Sequence, residues 1–284
     1  MRRRDKIIFF LLILIGLGLL NYPFISQWVN RRSQSSVIYG YQEQTGQLTD
    51  DGISEMLEAA REYNRKLAAQ QLQLEDGFSA EQSRDKEYES LLNPVGNGVM
   101  GWIEIPVIDV MIPIYHGTGV AALENGAGHL YQSSLPVGGT DTHAVLSAHT
   151  GLASKALFTD LDKLEKKDRF FLYILDETLA YEVTDITVVL PEETDSLRIV
   201  PGEDLVTLVT CTPYGINSHR LLVTGKRIPW EPEEEQAGEM TEERGLWKWS
   251  QRLFILSVIV LAVTGILLIK PKRKGGDRNH EQER

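Results

Sequence analysis

The chain has 284 residues, a formal net charge of −11 and a single cysteine. The acidic balance argues against a nucleic-acid partner, and one thiol cannot close an internal disulfide, which excludes structural redox chemistry as its task. The charge is unevenly spread: residues 1–30 and residues 270–284 each sum to +3, leaving −17 on the stretch between them.

In chain order, the first signal is an apolar segment from Ile7 to Leu20, extendable to Ile25, behind Arg2, Arg3, Arg4 and Lys6. It is either a membrane anchor or the apolar part of a signal peptide, and the lack of a clear small-residue cleavage site favours the anchor. The last signal is its counterpart, Leu253 to Ile269, which is 17 residues without a charge. Trp247 and Trp249 precede it as interfacial residues, and basic residues follow from Lys270 to Lys274, so it reads as a transmembrane helix. The positive-inside rule then puts both termini in the cytoplasm and the acidic middle outside, in a two-pass cell-membrane protein.

The middle opens with helical spacing at Ile53, Met56, Leu57 and Ala60, with Thr49 or Asp50 placed to cap. From about Gly98 the pattern turns to short β-rich runs: Trp102 to Pro106, Met111 to Tyr115, Ala144 to Ala148, Arg169 to Leu175, Leu179 to Val183 and Ile186 to Leu190. Two more surround the cysteine, Leu205 to Cys211 and His219 to Lys226. Eight short strands predict a closed or nearly closed all-β barrel of about 130 residues, with one helical stretch near Ala153 to Leu164. The acidic, proline-containing stretch from Trp230 to Glu243 reads as a linker.

An isolated cysteine is most often a small buried hydrophobe. Cys211, however, stands where a strand runs out into the turn residues Thr212-Pro213-Tyr214-Gly215, a position that joins a fixed backbone to solvent access. If the strands on either side pair as a hairpin, Arg220 comes near Cys211 at the same end. A thiol nucleophile also needs a partner to manage its proton, usually histidine. Of six histidines, His149 ends the run Ala144 to Ala148 as Cys211 ends its own. His143 begins that run, and His116 and His129 sit in glycine-rich turns that suit structural roles. His219, next to Arg220, faces the other way if Arg220 faces the site, and His280 is in the basic tail.

Three motifs then carry a specific resemblance. Gly128-His-Leu-Tyr-Gln-Ser-Ser-Leu-Pro-Val-Gly-Gly139, Thr142-His-Ala-Val-Leu-Ser-Ala-His149-Thr-Gly-Leu152 and Thr207-Leu-Val-Thr-Cys211-Thr-Pro-Tyr-Gly-Ile-Asn-Ser-His-Arg220 resemble the sortases of Gram-positive bacteria, and among them the class C, pilin-polymerising branch. The resemblance runs from about Leu91 to Pro229. It implies an eight-stranded sortase-type β-barrel with short helices, a helical N-terminal extension and two transmembrane helices. It implies Cys211 as nucleophile, His149 as catalytic histidine and Arg220 as active-site arginine of a cysteine transpeptidase, with the chemistry of a thiol protease. The substrates implied are secreted pilin or surface proteins with a C-terminal sorting signal of the Leu-Pro-x-Thr-Gly kind, joined through lysine isopeptide bonds in pilus assembly.

The same class often carries a lid in which an Asp-Pro-aromatic motif covers the cysteine. Asp76-Gly77-Phe78 is the candidate here, with glycine in place of proline and therefore a freer backbone. No zinc-ligand spacing is present, and Glu192, Glu193 and Asp195 form no ordered calcium loop, so neither a metal nor another cofactor is expected. The expected organisation is 1–30 basic tip and N-terminal anchor, 31–97 helical extension and lid, 98–230 catalytic barrel, 231–252 acidic linker, 253–269 transmembrane helix and 270–284 basic tail. Two other readings stand beside pilin assembly: a sortase that anchors proteins to cell-wall peptidoglycan through its precursor, and a non-catalytic surface barrel that binds or scaffolds partners.

Overall fold

The computed structural model describes residues 3–70, 74, 78, 85–151 and 155–230. Two compact units divide the chain, residues 1–25 with 242–284 and residues 26–241. The first unit's described part is the N-terminal portion of helix α1 (Arg3–Thr45), where Ile8, Phe9, Leu11, Leu12, Ile15 and Leu19 are exposed. The side chains at 3, 6, 7, 10, 20, 23 and 24 lie outside the description, and among the described residues no helix is long and apolar enough to cross a membrane. The expected segment 253–269, its linker and the basic tail lie outside the described residues as well.

The second unit is a barrel with helices packed on it. After α1 come α2 (Asp50–Gln70) and α3 (Lys86–Ser90), then β1 (Val99–Ile105), β2 (Val110–His116), α4 (Val120–Asn125), β3 (Ala127–His129), β4 (Thr142–Ser147), β5 (Arg169–Ile174), β6 (Glu177–Val189), β7 (Asp204–Thr212) and β8 (His219–Ile228). The eight strands close in the order β1-β2-β3-β4-β7-β8-β6-β5. All neighbours are antiparallel except β2–β3 and β4–β7. Because side chains alternate across a strand, Leu146, Leu172, Val206, Leu208 and Val223 turn inward and are fully buried. Gly225 is required at the crossing of β6, β7 and β8: a Cβ there would lie 2.5 Å from the Phe170 ring, which stacks on Tyr181 at 5.6 Å and 12°.

The helices are fastened to the barrel by buried polar groups as well as apolar ones. The Tyr41 hydroxyl donates to the Met100 carbonyl (2.7 Å) and accepts from the Leu175 amide (3.0 Å). In α2, whose first turn is capped by Thr49 Oγ1 accepting from Gly52 N–H at 3.2 Å, Leu57, Ala60, Tyr63, Asn64 and Leu67 form the buried face. Asn64 pairs with the Leu135 backbone as a strand would, donating to its carbonyl (3.0 Å) and accepting from its amide (2.7 Å). Asp85 caps α3, and Tyr88, fully buried, donates to His129 Nδ1 (2.8 Å) and accepts from Gly117 N–H (2.9 Å).

Several expected elements differ. Leu179 to Val183 and Ile186 to Leu190 are one strand, β6, whose pairing with β8 shifts register between Val183 and Asp185. The polar break there is a bulge, which lets a strand bend without ending. The strand β3 and helix α4 carry no expectation, being three and six residues long. The stretch expected to be helical near Ala153 to Leu164 holds turns and a three-residue 3-10 segment at Leu161–Lys163, because Leu157 takes φ +39° and breaks the helical run. Residues 152–154 lie outside the described residues.

Burial of the structural histidines has a consequence for stability. His129 donates from Nε2 to the Ser134 carbonyl (2.8 Å), and burial pushes its pKa from 6.5 down to about 4. Burial lowers His143 in the same direction. Between 6.5 and about 4 the unfolded chain binds a proton that folded His129 refuses. Its contribution is therefore present in full above 6.5 and is lost as pH falls through that window. The shift corresponds to about 3 kcal/mol. Urea unfolding of the full-length protein should show stability falling across this range and a flatter profile in His129→Gln; identical slopes would refute the assignment.

Candidate active site

Four neighbouring strands end at one rim of the barrel. Strand β7 brings Cys211 there, and its antiparallel pairing with β8 sets Arg220 directly opposite, a closeness that loop and strand sequence already imply. On the other side β7 runs parallel to β4, with Ser147 beside Val209. Ala148 N–H donates to the Val209 carbonyl (3.1 Å), and Thr210 Oγ1 donates to the Ala148 carbonyl (2.7 Å). Carried two residues further, the same register sets His149 abreast of Cys211. Cys211, His149 and Arg220 are thus brought together, with the thiol strand between the other two. Cys211, His149 and Arg220 are all half-buried.

Strand alternation turns this trio to the outer face of the barrel, in line with Val145, Val209 and Leu222. These three and Leu130 form an apolar floor, with Leu197 as a wall. Leu74 from the segment before the barrel lies on that floor, buried, its carbonyl accepting from Thr194 Oγ1 (2.8 Å). The buried hydroxyl of Ser147 on the same floor has no hydrogen-bond partner among the described residues. Four residues after Leu74, Phe78 stands over the polar end of the groove: its ring centre is 5.7 Å from that of His149 and 5.1 Å from the Arg220 guanidinium carbon. Asp76, the other lid candidate, lies outside the described residues.

Phe78 is therefore wedged between two of the three expected site residues. A cation on an aromatic face is worth about 0.5–2 kcal/mol, so removing the ring shifts the balance toward an open groove about 2- to 30-fold. Phe78→Ala should speed thiol labelling of Cys211 by that factor, read as the rate of modification by a small maleimide. An unchanged rate would show that the ring does not limit access.

Burial lowers the His149 pKa below the ordinary imidazole value; the Glu124 carboxylate opposes this and the Lys155 ammonium adds to it. The ring is accordingly neutral at neutral pH and free to take a proton from the thiol. Arg220 donates to the carbonyls of Asn217 and His219, both at 3.2 Å, which holds its fork at the strand end. The other histidines among the described residues are occupied elsewhere. His116 sets its ring nitrogens on the Leu91 and Gly98 carbonyls (2.7 and 3.0 Å), and His143 spans the Arg198 carbonyl and Thr207 Oγ1 (2.8 and 2.7 Å) at the far end of β4. His219 pairs with Thr212 across the ladder and meets Ser218 Oγ at 2.9 Å.

Among the described residues no group of three or more His, Cys, Asp or Glu side chains is arranged to hold a metal ion. Glu193 accepts from the Leu190 amide (2.9 Å) and Asp195 pairs with Arg198 (2.7 Å), so both serve their own turn. The groove floor and its occupant Leu74 were missed in the sequence, since a single leucine in a polar segment carries no periodic signal. The trio itself can perform acyl transfer: a nucleophilic thiol, a neutral base beside it, and a fixed cation for developing negative charge.

Three comparisons bear on this chemistry. The family description that matches residues 103–228 is "Sortase domain". Sortase A of Streptococcus agalactiae serotype III is 35% identical over 117 residues, 40% of this chain; the chain spans about half of that relative, 47% of its length. Among solved structures, sortase C-1 from Actinomyces oris is 49% identical with a TM-score of 0.60, covering 63% of this chain and 99% of its own. Clostridium perfringens sortase C, solved with the C-terminal cell wall sorting motif, is 44% identical with a TM-score of 0.59, covering 69% of this chain and all of its own.

Proposed function

The chain belongs to the sortase family of cysteine transpeptidases, and from that premise we propose that it cleaves a sorting signal of the Leu-Pro-x-Thr-Gly kind and joins pilin subunits through lysine isopeptide bonds. The observation that carries this reading is the match to sortase C structures over their whole length. At 69% of this chain, that match is longer than the barrel and reaches into the helical extension before it.

In this reading Cys211 gives its proton to His149 and attacks the Thr carbonyl of the signal. The tetrahedral oxyanion that forms is met by Arg220, and its collapse leaves a thioester while His149 passes the proton to the departing glycine amine. A lysine amine of a second pilin then attacks the thioester, His149 now taking a proton from it, and the thiolate leaves. Leu74 and Phe78 must vacate the groove before a signal can lie there. We propose further that both apolar segments anchor the chain in the cell membrane with the barrel outside. This rests on the uncharged run from Leu253 to Ile269 and the basic residues at both ends.

The test is incubation of the full-length protein in detergent with a recombinant pilin bearing the signal. A thioester adduct followed by a lysine-linked ladder supports the proposal. An adduct resolved only by a peptidoglycan-precursor amine would replace it with wall anchoring, and absence of any adduct after opening the groove with Phe78→Ala would favour a non-catalytic scaffold.

A further inference from the structure

We propose that Glu124 recognises the ammonium group of the acceptor that resolves the Cys211 thioester, so that the acceptor enters over the β3 side of His149. The inference deepens the function proposed above and rests on it. Arg220 flanks Cys211 on the β8 side, the side on which the acyl oxygen would be held, and the Phe78 ring spans from Arg220 to His149 above the thiol strand. An acceptor whose proton goes to His149 has to come within reach of that imidazole from elsewhere.

The topology places one carboxylate there. Strand β3 runs antiparallel to β4, with Gly128 opposite Ser147. Continued two residues, that register sets Gly126 abreast of His149. Gly126 closes α4, so the last turn of this helix, with Glu124 exposed on it, flanks His149 on the side away from Cys211. Across adjacent strand ends the rim therefore reads Glu124, His149, Cys211, Arg220. A second observation shows what this edge accommodates: the ammonium of Lys155, from the loop after β4, already reaches the backbone carbonyl of Glu124. Glu124 and Lys155 are also the charges that act on His149. A primary ammonium thus fits the edge, and the Glu124 carboxylate offers it a counter-charge within electrostatic range of the base that must deprotonate it.

A lysine side chain is protonated at neutral pH, with an ordinary pKa of about 10.4. On reaction its ammonium yields one proton to solvent and a second to neutral His149 as the nitrogen bonds the acyl carbon. The C–S bond breaks, and its electron pair returns to Cys211 as thiolate. The carboxylate takes no part in those bond changes; it raises the local concentration of the acceptor.

The experiment uses the full-length protein, preacylated by a sorting-signal peptide, with Nα-acetyl-lysine methylamide as charged acceptor and hydroxylamine as an acceptor that is neutral at pH 7. Glu124→Gln should raise KM for the lysine acceptor about 2- to 5-fold, the range for an exposed ion pair. Glu124→Lys should raise it further, and the difference should shrink at high salt. Because Glu124 also acts on His149, acylation and the reaction with hydroxylamine report any change at that base, and the KM for lysine should rise beyond that common change. Lysine and hydroxylamine shifting together, or neither shifting, would overturn the proposal. A wild-type protein that forms no thioester would instead overturn the function on which it rests, which the acylation step reports separately.

Discussion

Cys211→Ala should abolish the acyl adduct and lower transpeptidation on the order of 10⁴-fold or more, the scale on which removal of a nucleophile acts when its supporting groups remain. The substitution removes one sulfur from a half-buried position at the end of β7. The backbone there is held by the ladder to Arg220 on β8, so the fold should lose less than about 1 kcal/mol. Intact-mass measurement after incubation with a sorting-signal peptide gives the adduct, and thermal unfolding gives the fold. A correctly folded Cys211→Ala protein that still cross-links pilin would remove the thiol from the mechanism altogether.

Arg220→Ala should lower the rate of acylation about 10²- to 10³-fold, the range for losing one donor to a developing oxyanion. The loss should fall mainly on kcat, because the interaction matures only as charge builds on the acyl oxygen. Arg220→Lys should restore little, since a point charge on a flexible stem does not reproduce a planar fork that is already oriented by the carbonyls of Asn217 and His219. The same side chain also holds Phe78. Arg220→Ala should therefore label faster with a maleimide while it acylates more slowly, two opposite movements that global damage to the site cannot produce. Single-turnover acylation with mass detection decides the point; wild-type acylation in Arg220→Ala would exclude the arginine from the chemistry.

Both expectations depend on strand order, and they show how far the residues could be read without it. The β7–β8 hairpin was legible because its two halves are close in sequence and separated by a turn-rich stretch, so Arg220 follows Cys211 almost by construction. His149 was legible only as the end of another β-rich run. Its place beside Cys211 depends on the parallel β4–β7 pairing, which joins segments more than fifty residues apart and has no local signature. The expected count of eight strands matches for compensating reasons: in the sequence the bulge at Val183/Asp185 reads as a gap between two strands, and the three-residue β3 is too short to show an alternating pattern. The expected helix after Ala153 failed where the positive φ of Leu157 overrode helix-compatible composition.

What the chain's residues determine by themselves is the local chemistry: a β-rich body behind a helical extension, one thiol at a strand terminus, a histidine and an arginine at two others, and acidic charge between two basic, apolar-flanked ends. Only the tertiary structure decided that β7 lies between β4 and β8, that Leu74 fills the groove and Phe78 stands between His149 and Arg220, and that Glu124 closes the far side of the rim. The division has a physical cause. Propensity and alternation act over a few residues and are written in the order of side chains, whereas barrel closure and groove occupancy minimise exposed apolar surface over the whole molecule.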